Sequence, residues 1–257
     1  MEMEFNHRNL TFMTPSGHLV TIREQNGEDD DILSNPVEAQ SMTNLSRFIS
    51  SIVVECDYNP SKRLSVQQAH ELPALDRYCI LLNSRRFSLG DEVEFTYDWG
   101  KDNGGSIHYT QSISEFLFDY SEMPSPEEVE AKPNAIPFYP LGKQFKDIPF
   151  ETSTGKKLMF DLLNAKAETY LIELPLEQRT KNKELVARNL RLEVNGVYEK
   201  VTNFRMFTVK EMSEIRKEVL SVDPLFYGNT DIENPTTGQV TQINVVAIKD
   251  FFYPGEM

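Results

Sequence analysis

Cysteine is almost missing: the 257 residues hold two, Cys56 and Cys79. Two thiols cannot complete a four-ligand zinc ribbon or a disulfide scaffold. Each sits among apolar neighbours, Val53 and Val54 or Ile80 and Leu81, and reads as a small buried hydrophobe. Histidine is scarce as well. His7, His18, His70 and His108 each lack a second His or Cys three or four residues away, the spacing of a helical metal site, and His70-Glu71 lacks the second histidine of a metalloprotease helix. Basic charge is in deficit, with 26 Lys and Arg against 40 Asp and Glu, a net charge of −14. Such a surface repels phosphate backbones and anionic membranes. The basic stretches Lys156-Lys157 and Arg179 to Lys183 are too short to reverse that, so no nucleic-acid partner is expected. No apolar run approaches the roughly 18 residues of a membrane span. Met1 to Asn9 is acidic and polar, unlike a signal peptide, which points to synthesis in a reducing cytoplasm and no membrane insertion.

The chain also lacks a phosphate-binding Gly-x-x-x-x-Gly-Lys-Ser/Thr loop and a Gly-x-Ser-x-Gly nucleophile elbow. The acidic run Glu28 to Asp31 is contiguous, whereas a calcium loop alternates its oxygen ligands around a glycine. It reads as a solvated helix start, where carboxylates suit the helix dipole. No catalytic residue, cofactor or metal is therefore expected.

What is present is a globular composition, 39% hydrophobic and 11% aromatic, in a length that fits one large domain or two smaller ones. Leu10 to Met13 and Leu19 to Arg23 flank the turn Thr14-Pro15-Ser16-Gly17 and predict a hairpin. Met42, Leu45, Ile49, Ile52 and Val53 recur at helical spacing and predict an amphipathic helix over Ala39 to Cys56. Pro73 opens a second helix, closed by Leu89-Gly90. From Glu92 the apolar period is two, and Val93, Phe95 and Tyr97 pair with the run from Ile107 as a second hairpin. A strand is read onward to Phe118.

Beyond it, Pro124, Pro126, Pro133, Pro137 and Pro140, with Pro149 just after, interrupt regular structure, leaving Glu127 to Ala131 as the one helical stretch. In the second half, turns at Thr152 to Gly155 and Asn195-Gly196 mark hairpins, and helices are predicted at Ala165 to Leu174, at Lys181 to Asn189 and from the Thr208/Glu211 capping box. Val240, Ile243, Val245 and Ala247 predict a closing strand. The expected class is α+β: two units of β-hairpins with amphipathic helices, residues 1–120 and 146–257, joined by a Pro- and aromatic-rich linker, 121–145. Gly17, Gly90, Gly155 and Gly196 are the expected structural turns. Structureless stretches as long as this linker are uncommon unless functional or disordered. Its rings and those nearby, Phe116, Phe118, Tyr120, Phe138, Tyr139 and Phe145, with Phe251, Phe252 and Tyr253, are the candidate interface residues.

The two halves are also alike. At an offset of 138 residues Phe12 falls on Phe150, Thr14 on Thr152, Gly17 on Gly155, Val20 on Leu158 and Leu33 on Leu171, which points to a duplicated unit.

Two stretches carry a family resemblance. Thr14-Pro15-Ser16-Gly17, Val20, Ile22-Arg23, Glu28-Asp29 and Leu33 form the first; Asp76-Arg77, Leu81-Leu82, Arg86 and Ser88-Leu89-Gly90-Asp91-Glu92 form the second. Together they resemble the baseplate hub and tail-assembly proteins of T4-like contractile-tailed phages, over roughly residues 10–118. The resemblance implies a virion tail or baseplate component, made in the host cytoplasm, whose partners are other baseplate or tail proteins, with self-association possible. An assembly chaperone absent from the finished virion is the alternative, and an enzyme with an unrecognised site a more distant one. Members often carry a Cys-x-x-Cys knuckle in the hairpin after the second stretch. Here that loop, Trp99 to Gly105, and its late counterpart, Asn234 to Gly238, contain neither Cys nor His. Elemental analysis of the purified chain should therefore find far less than one zinc per chain; stoichiometric zinc would contradict this reading.

Overall fold

The computed structural model describes residues 8–40, 43–247 and 251. Asn9–Met13 (β1) and Leu19–Arg23 (β2) form the first hairpin, and their alternation sends Val20 and Ile22 into the core. Three helices follow, Gly27–Leu33 (α1), Pro36–Gln40 (α2) and Thr43–Ile52 (α3). Val53–Cys56 (β3) then joins the far side of β2, giving the sheet order β1-β2-β3. This corrects the expected helix over Ala39 to Cys56. Val53 and Val54 are β-branched and lie against an open strand edge, so pairing of Val53 with Ile22 and of Glu55 with Thr21, with Val54 at the bulge between them, wins over the helical period. Met42 lies outside the described residues.

Val66–Glu71 (α4) starts at a capping box between Ser65 and Gln68 that the sequence reading passed over. Ala74–Leu89 (α5) ends at Gly90, whose φ of 95° is open to glycine and strained for other residues. Glu92–Asp98 (β4) and Ser106–Ser112 (β5) make the two-stranded hairpin. The strand read to Phe118 stops at Ser112, because Asp91 gathers the Ser112 hydroxyl and both polar groups of Ser114 and turns the chain into a short 3₁₀ segment, Ile113–Phe116. Pro126–Ala131 (α6) is the helix within the proline-rich segment.

The second half also opens on a hairpin followed by helices and ends on a hairpin. Ile148–Glu151 (β6) and Lys157–Phe160 (β7) form a hairpin, and Ala165–Glu173 (α7) and Lys181–Ala187 (α8) follow. Arg191–Val194 (β8) then pairs with β7 and turns through Asn195-Gly196 into Val197–Lys200 (β9). Both turn residues have positive φ, as a two-residue hairpin turn requires. Val209–Val222 (α9) leads to the hairpin Asn229–Glu233 (β10) and Val240–Asn244 (β11). Val245–Ala247 is a 3₁₀ turn, not a continuation of the strand. Helices are combined with sheets whose strand pairs are antiparallel, so the class is α+β.

Two apolar clusters fill the interior, and α5 lies between them. Ile80 and Leu81 face the smaller one, with Val20, Phe48 and Ile52; Leu75, Cys79 and Leu82 face the larger. The larger cluster continues through Tyr120, Ile136 and Tyr139 to Leu158, Phe160 and Ile215. Packing is thus continuous across residues 120 and 145, where the sequence suggested boundaries. The proline-rich segment is a strap over the chain's own core. Its backbone is satisfied piecemeal, Ile136 N donating to Phe116 O (2.9 Å) and Tyr139 N to Pro15 O (3.1 Å).

The strap also completes α5. Pro73 gives that helix no side-chain cap, and its first amides bond elsewhere: Ala74 N to Leu163 O (2.8 Å) and Leu75 N to the Tyr139 hydroxyl (3.0 Å). Tyr139→Phe keeps the ring and removes the acceptor of a buried amide, a loss of about 1–3 kcal/mol. Thermal unfolding of the free chain should fall by several degrees; an unchanged midpoint would show that the bond contributes nothing.

Candidate functional site

The two stretches that carry the family resemblance meet in space. In Thr14 to Gly17, Gly17 N donates to Thr14 O (2.8 Å) and Thr14 N to His18 O (2.9 Å), with Gly17 at φ 79°. The turn then presents Ser16 to α5. Ser16 donates its N–H to Asp76 Oδ1 (3.0 Å) and its hydroxyl to Oδ2 (2.5 Å), and Tyr58 adds a third donor at 2.7 Å. The second half has a similar turn, with Thr152 to Gly155 138 residues after Thr14 to Gly17, and it also meets an acid near a helix start, 135 residues after Asp76. Gly155 N donates to Thr152 O (2.9 Å), Thr152 N to Lys156 O (3.0 Å), and Gly155 has φ 85°. The Thr154 hydroxyl donates to Glu211 Oε1, and Lys156 Nζ lies 3.0 Å from Oε2. Asp76 and Glu211 are each the third residue of their helix, and both are buried. Asn26 and Asn164, also 138 apart, cap α1 and α7 with the same extended backbone.

The two acids differ in charge environment. Burial pushes the Asp76 carboxyl up against the donors that hold it. Glu211 is pulled down to about 2, first by the Thr154 hydroxyl, then by the Thr208 amide and Lys156.

Most other motif residues are also engaged within the chain. Arg23 grips Asp29 with two bonds, 2.7 and 2.9 Å, and Ser51 adds a third at 2.7 Å. This corrects the reading of the acidic run as wholly solvated: Asp29 is buried, and its carboxylate also closes the capping box on Asn26. Arg77 pairs with Glu168 of α7 at 3.3 Å, tying the halves together. Ser88 accepts from Gln25 N at 2.9 Å. Arg85, buried and unremarked in the sequence, donates to three carbonyls, Gly90 O, Glu92 O and Phe251 O.

The histidines are held as follows. His18 Nδ1 lies 2.7 Å from Asp57, which Lys143 also binds, and its Nε2 is buried without a hydrogen-bond partner. The Ser46 hydroxyl meets His70 at 2.9 Å, but Ser46 is fully buried and out of reach of a substrate. His108 is on the surface near Glu94, and His7 lies outside the described residues. Cys56 and Cys79 are free and buried. Among the described residues no group of three or more His, Cys, Asp or Glu could hold a metal ion, and no helix is long and apolar enough to cross a membrane. The loops at the two knuckle positions touch each other instead, through Asn234 Nδ2 and Asn103 O at 2.7 Å.

The candidate interface rings are mostly inside. Phe116, Tyr120, Tyr139 and Phe251 belong to the larger core, and Phe118, Phe138 and Phe145 pack half-buried against it. The four buried rings are taken up by the chain's own core, where a buried ring removes roughly 150–250 Å² from water, while Phe118, Phe138 and Phe145 keep part of their surface open. Phe252 and Tyr253 lie outside the described residues. Sequence reasoning missed Tyr58, Arg85, Glu168 and the buried Arg188–Asp223 pair. A charged residue at a position whose helical neighbours are apolar was the available signal.

Several clefts open on the surface. One, about 430 Å³, is lined by residues including Glu71, Lys146, Asp161, Lys166 and Lys200. Another, about 360 Å³, runs beside β1, and a smaller one, about 160 Å³, lies at Tyr227 and Gly228. Compared with known proteins, the chain matches no family model, no curated protein and no solved structure.

The turn joints make two predictions. Ser16→Ala removes a hydrogen bond to a buried carboxylate and should cost about 2 kcal/mol in urea unfolding, against no loss if the joint is dispensable. Glu211 ionises at about 2 when folded, against 4.5 for a free carboxyl. Its contribution is therefore whole above pH 4.5 and lost as pH falls through 2. The stability gap between the native chain and Glu211→Gln should be constant from pH 7 to 5 and close below that; a gap unchanged at pH 2 would refute the assignment. Asp76, with its carboxyl raised, acts with the opposite sign.

Proposed function

We propose that this chain is a structural component of a contractile phage tail baseplate, in the hub or inner wedge region, working through protein–protein contacts. The observation that carries the reading is where the resembling residues go. Ser16, Arg23, Asp29, Asp76, Arg77, Gly90 and Asp91 are engaged in turns, caps and joints of the chain's own fold. A motif spent on shape suits a part whose role is to hold neighbours at fixed positions, and a strongly acidic surface suits protein partners better than nucleic acid. The partners are other baseplate or tail proteins, with self-association a further possibility, and the place of action is the virion.

Mass spectrometry of purified particles tests this. The chain should be present at a fixed copy number relative to the sheath and tube proteins. Its absence from particles, together with failed tail assembly when its gene is deleted, would replace this reading with that of an assembly chaperone.

A further inference from the structure

The cleft of about 430 Å³ lies where the two halves of the chain meet. The end of α4 contributes Glu71, the first two turns of α7 contribute Lys166 and Tyr170, and the end of β9 contributes Lys200. Its size falls within the range of small-molecule sites, roughly 300–1,000 Å³. One wall holds a buried acceptor with no partner. Asn189 follows the end of α8 at φ 54°, a left-handed position that asparagine tolerates. Its amide nitrogen donates to Asp161 Oδ2 at 3.0 Å. That bond fixes the amide, because turned over its oxygen would face a carboxylate. Oδ1 is left buried without a hydrogen bond. A buried acceptor in the wall of a cleft calls for a donor. The Tyr170 hydroxyl is also without a hydrogen bond among the described residues.

The acids of the cleft are already answered. Glu71 pairs with Lys146 at 3.1 Å, and Asp161 with Arg191 at 2.8 Å. Lys166 and Lys200, both exposed, form no ion pair among the described residues; the field of Lys166 reaches Glu71 and His70 without contact. Lys200 stands opposite Arg191 in the β8–β9 ladder, a second cation on the same face. The charge left over is therefore positive, in a chain of net charge −14. A ligand that meets both demands is an anion that carries hydroxyls. A bare anion would set negative charge against Asn189 Oδ1. The ammonium of an amino acid would sit among cations, with both carboxylates taken. A sugar hydroxyl donates as well as accepts, and the C–H face of its ring packs on a tyrosine.

We propose that this cleft binds a monosaccharide bearing an acidic group, a sugar acid or a sugar phosphate, with its anion on Lys166 and Lys200 and a hydroxyl donating to Asn189 Oδ1. The cations supply charge-assisted bonds, and the fixed amide selects for a hydroxyl. The inference goes beyond the baseplate reading and does not depend on it.

Saturation-transfer NMR on the full chain tests the cleft, with glucuronate, glucose-6-phosphate, glucose, inorganic phosphate and glutamate as probes. At least one of the two acidic sugars should bind with a dissociation constant of about 1 mM or tighter, and glucose about tenfold more weakly. The tighter of the two identifies the anion as carboxylate or phosphate. The double variant Lys166→Gln, Lys200→Gln should weaken the acidic sugars about tenfold and leave glucose unchanged. Asn189→Gly suits the left-handed backbone and removes the acceptor, so it should weaken acidic and neutral sugars alike with thermal stability retained. If that variant unfolds, Tyr170→Phe, which removes only a hydroxyl, takes its place and should weaken the same sugars. Absence of saturable binding at about 10 mM, or binding by the double lysine variant equal to that of the native chain, overturns the proposal. So does inorganic phosphate that competes as well as the acidic sugars, which leaves an adventitious ion only. Glutamate that binds more tightly than either acidic sugar also overturns it and assigns the cleft to an amino acid.

Discussion

A buried carboxylate has to be met by donors, and in each half of this chain a tight turn supplies them. Ser16 meets Asp76, and Thr154 meets Glu211. The constraint reaches in both directions along the chain. The turn needs a residue with positive φ at its fourth position, which glycine provides at 17 and 155, and a hydroxyl at its third. The helix needs its acid one turn in, where the N-terminal dipole favours negative charge. Once joined, the hairpin and the long helix of each half have a fixed relative placement, and the third strand and the following hairpin pack on that frame.

The central helix α5 then carries the rest. It is buried on nearly all sides, which explains why it shows so weak an amphipathic stripe while its neighbours show clear ones. A helix in that position cannot rely on solvent to satisfy its ends. Leu163 and Tyr139 supply the missing acceptors from sequence positions far away. The proline-rich segment is therefore ordered by what it covers, with few regular hydrogen bonds of its own.

Local chemistry was legible in the sequence. The alternation of Leu19 to Arg23, the Asn195-Gly196 turn and the Thr208/Glu211 box each specify an element through contacts a few residues apart, and each element is present. Long-range outcomes were less legible. Val53 to Cys56 keep a helical period, yet the open edge of β2 draws them into a strand. Tyr139 and Phe116 look the same in sequence whether they anchor a neighbour or close a core, since either use buries a ring. Arg85 stood out only by its apolar helical neighbours; its partners could not be read, because they are carbonyls, which every residue carries. Of the candidate site, the motif residues were visible and their mutual contacts were not: Ser16 and Asp76 are 60 positions apart.

Arg85 has a consequence for the order of events at the ribosome. Gly90 O and Glu92 O are available to it as soon as the following hairpin is made, but Phe251 O is translated 166 residues later. Until then the nascent first half holds a cation with an incomplete set of acceptors in its interior, and the Phe251 ring is missing from the larger core. A chain released before Phe251 is made would therefore leave Arg85 one carbonyl acceptor short and the larger core one ring short.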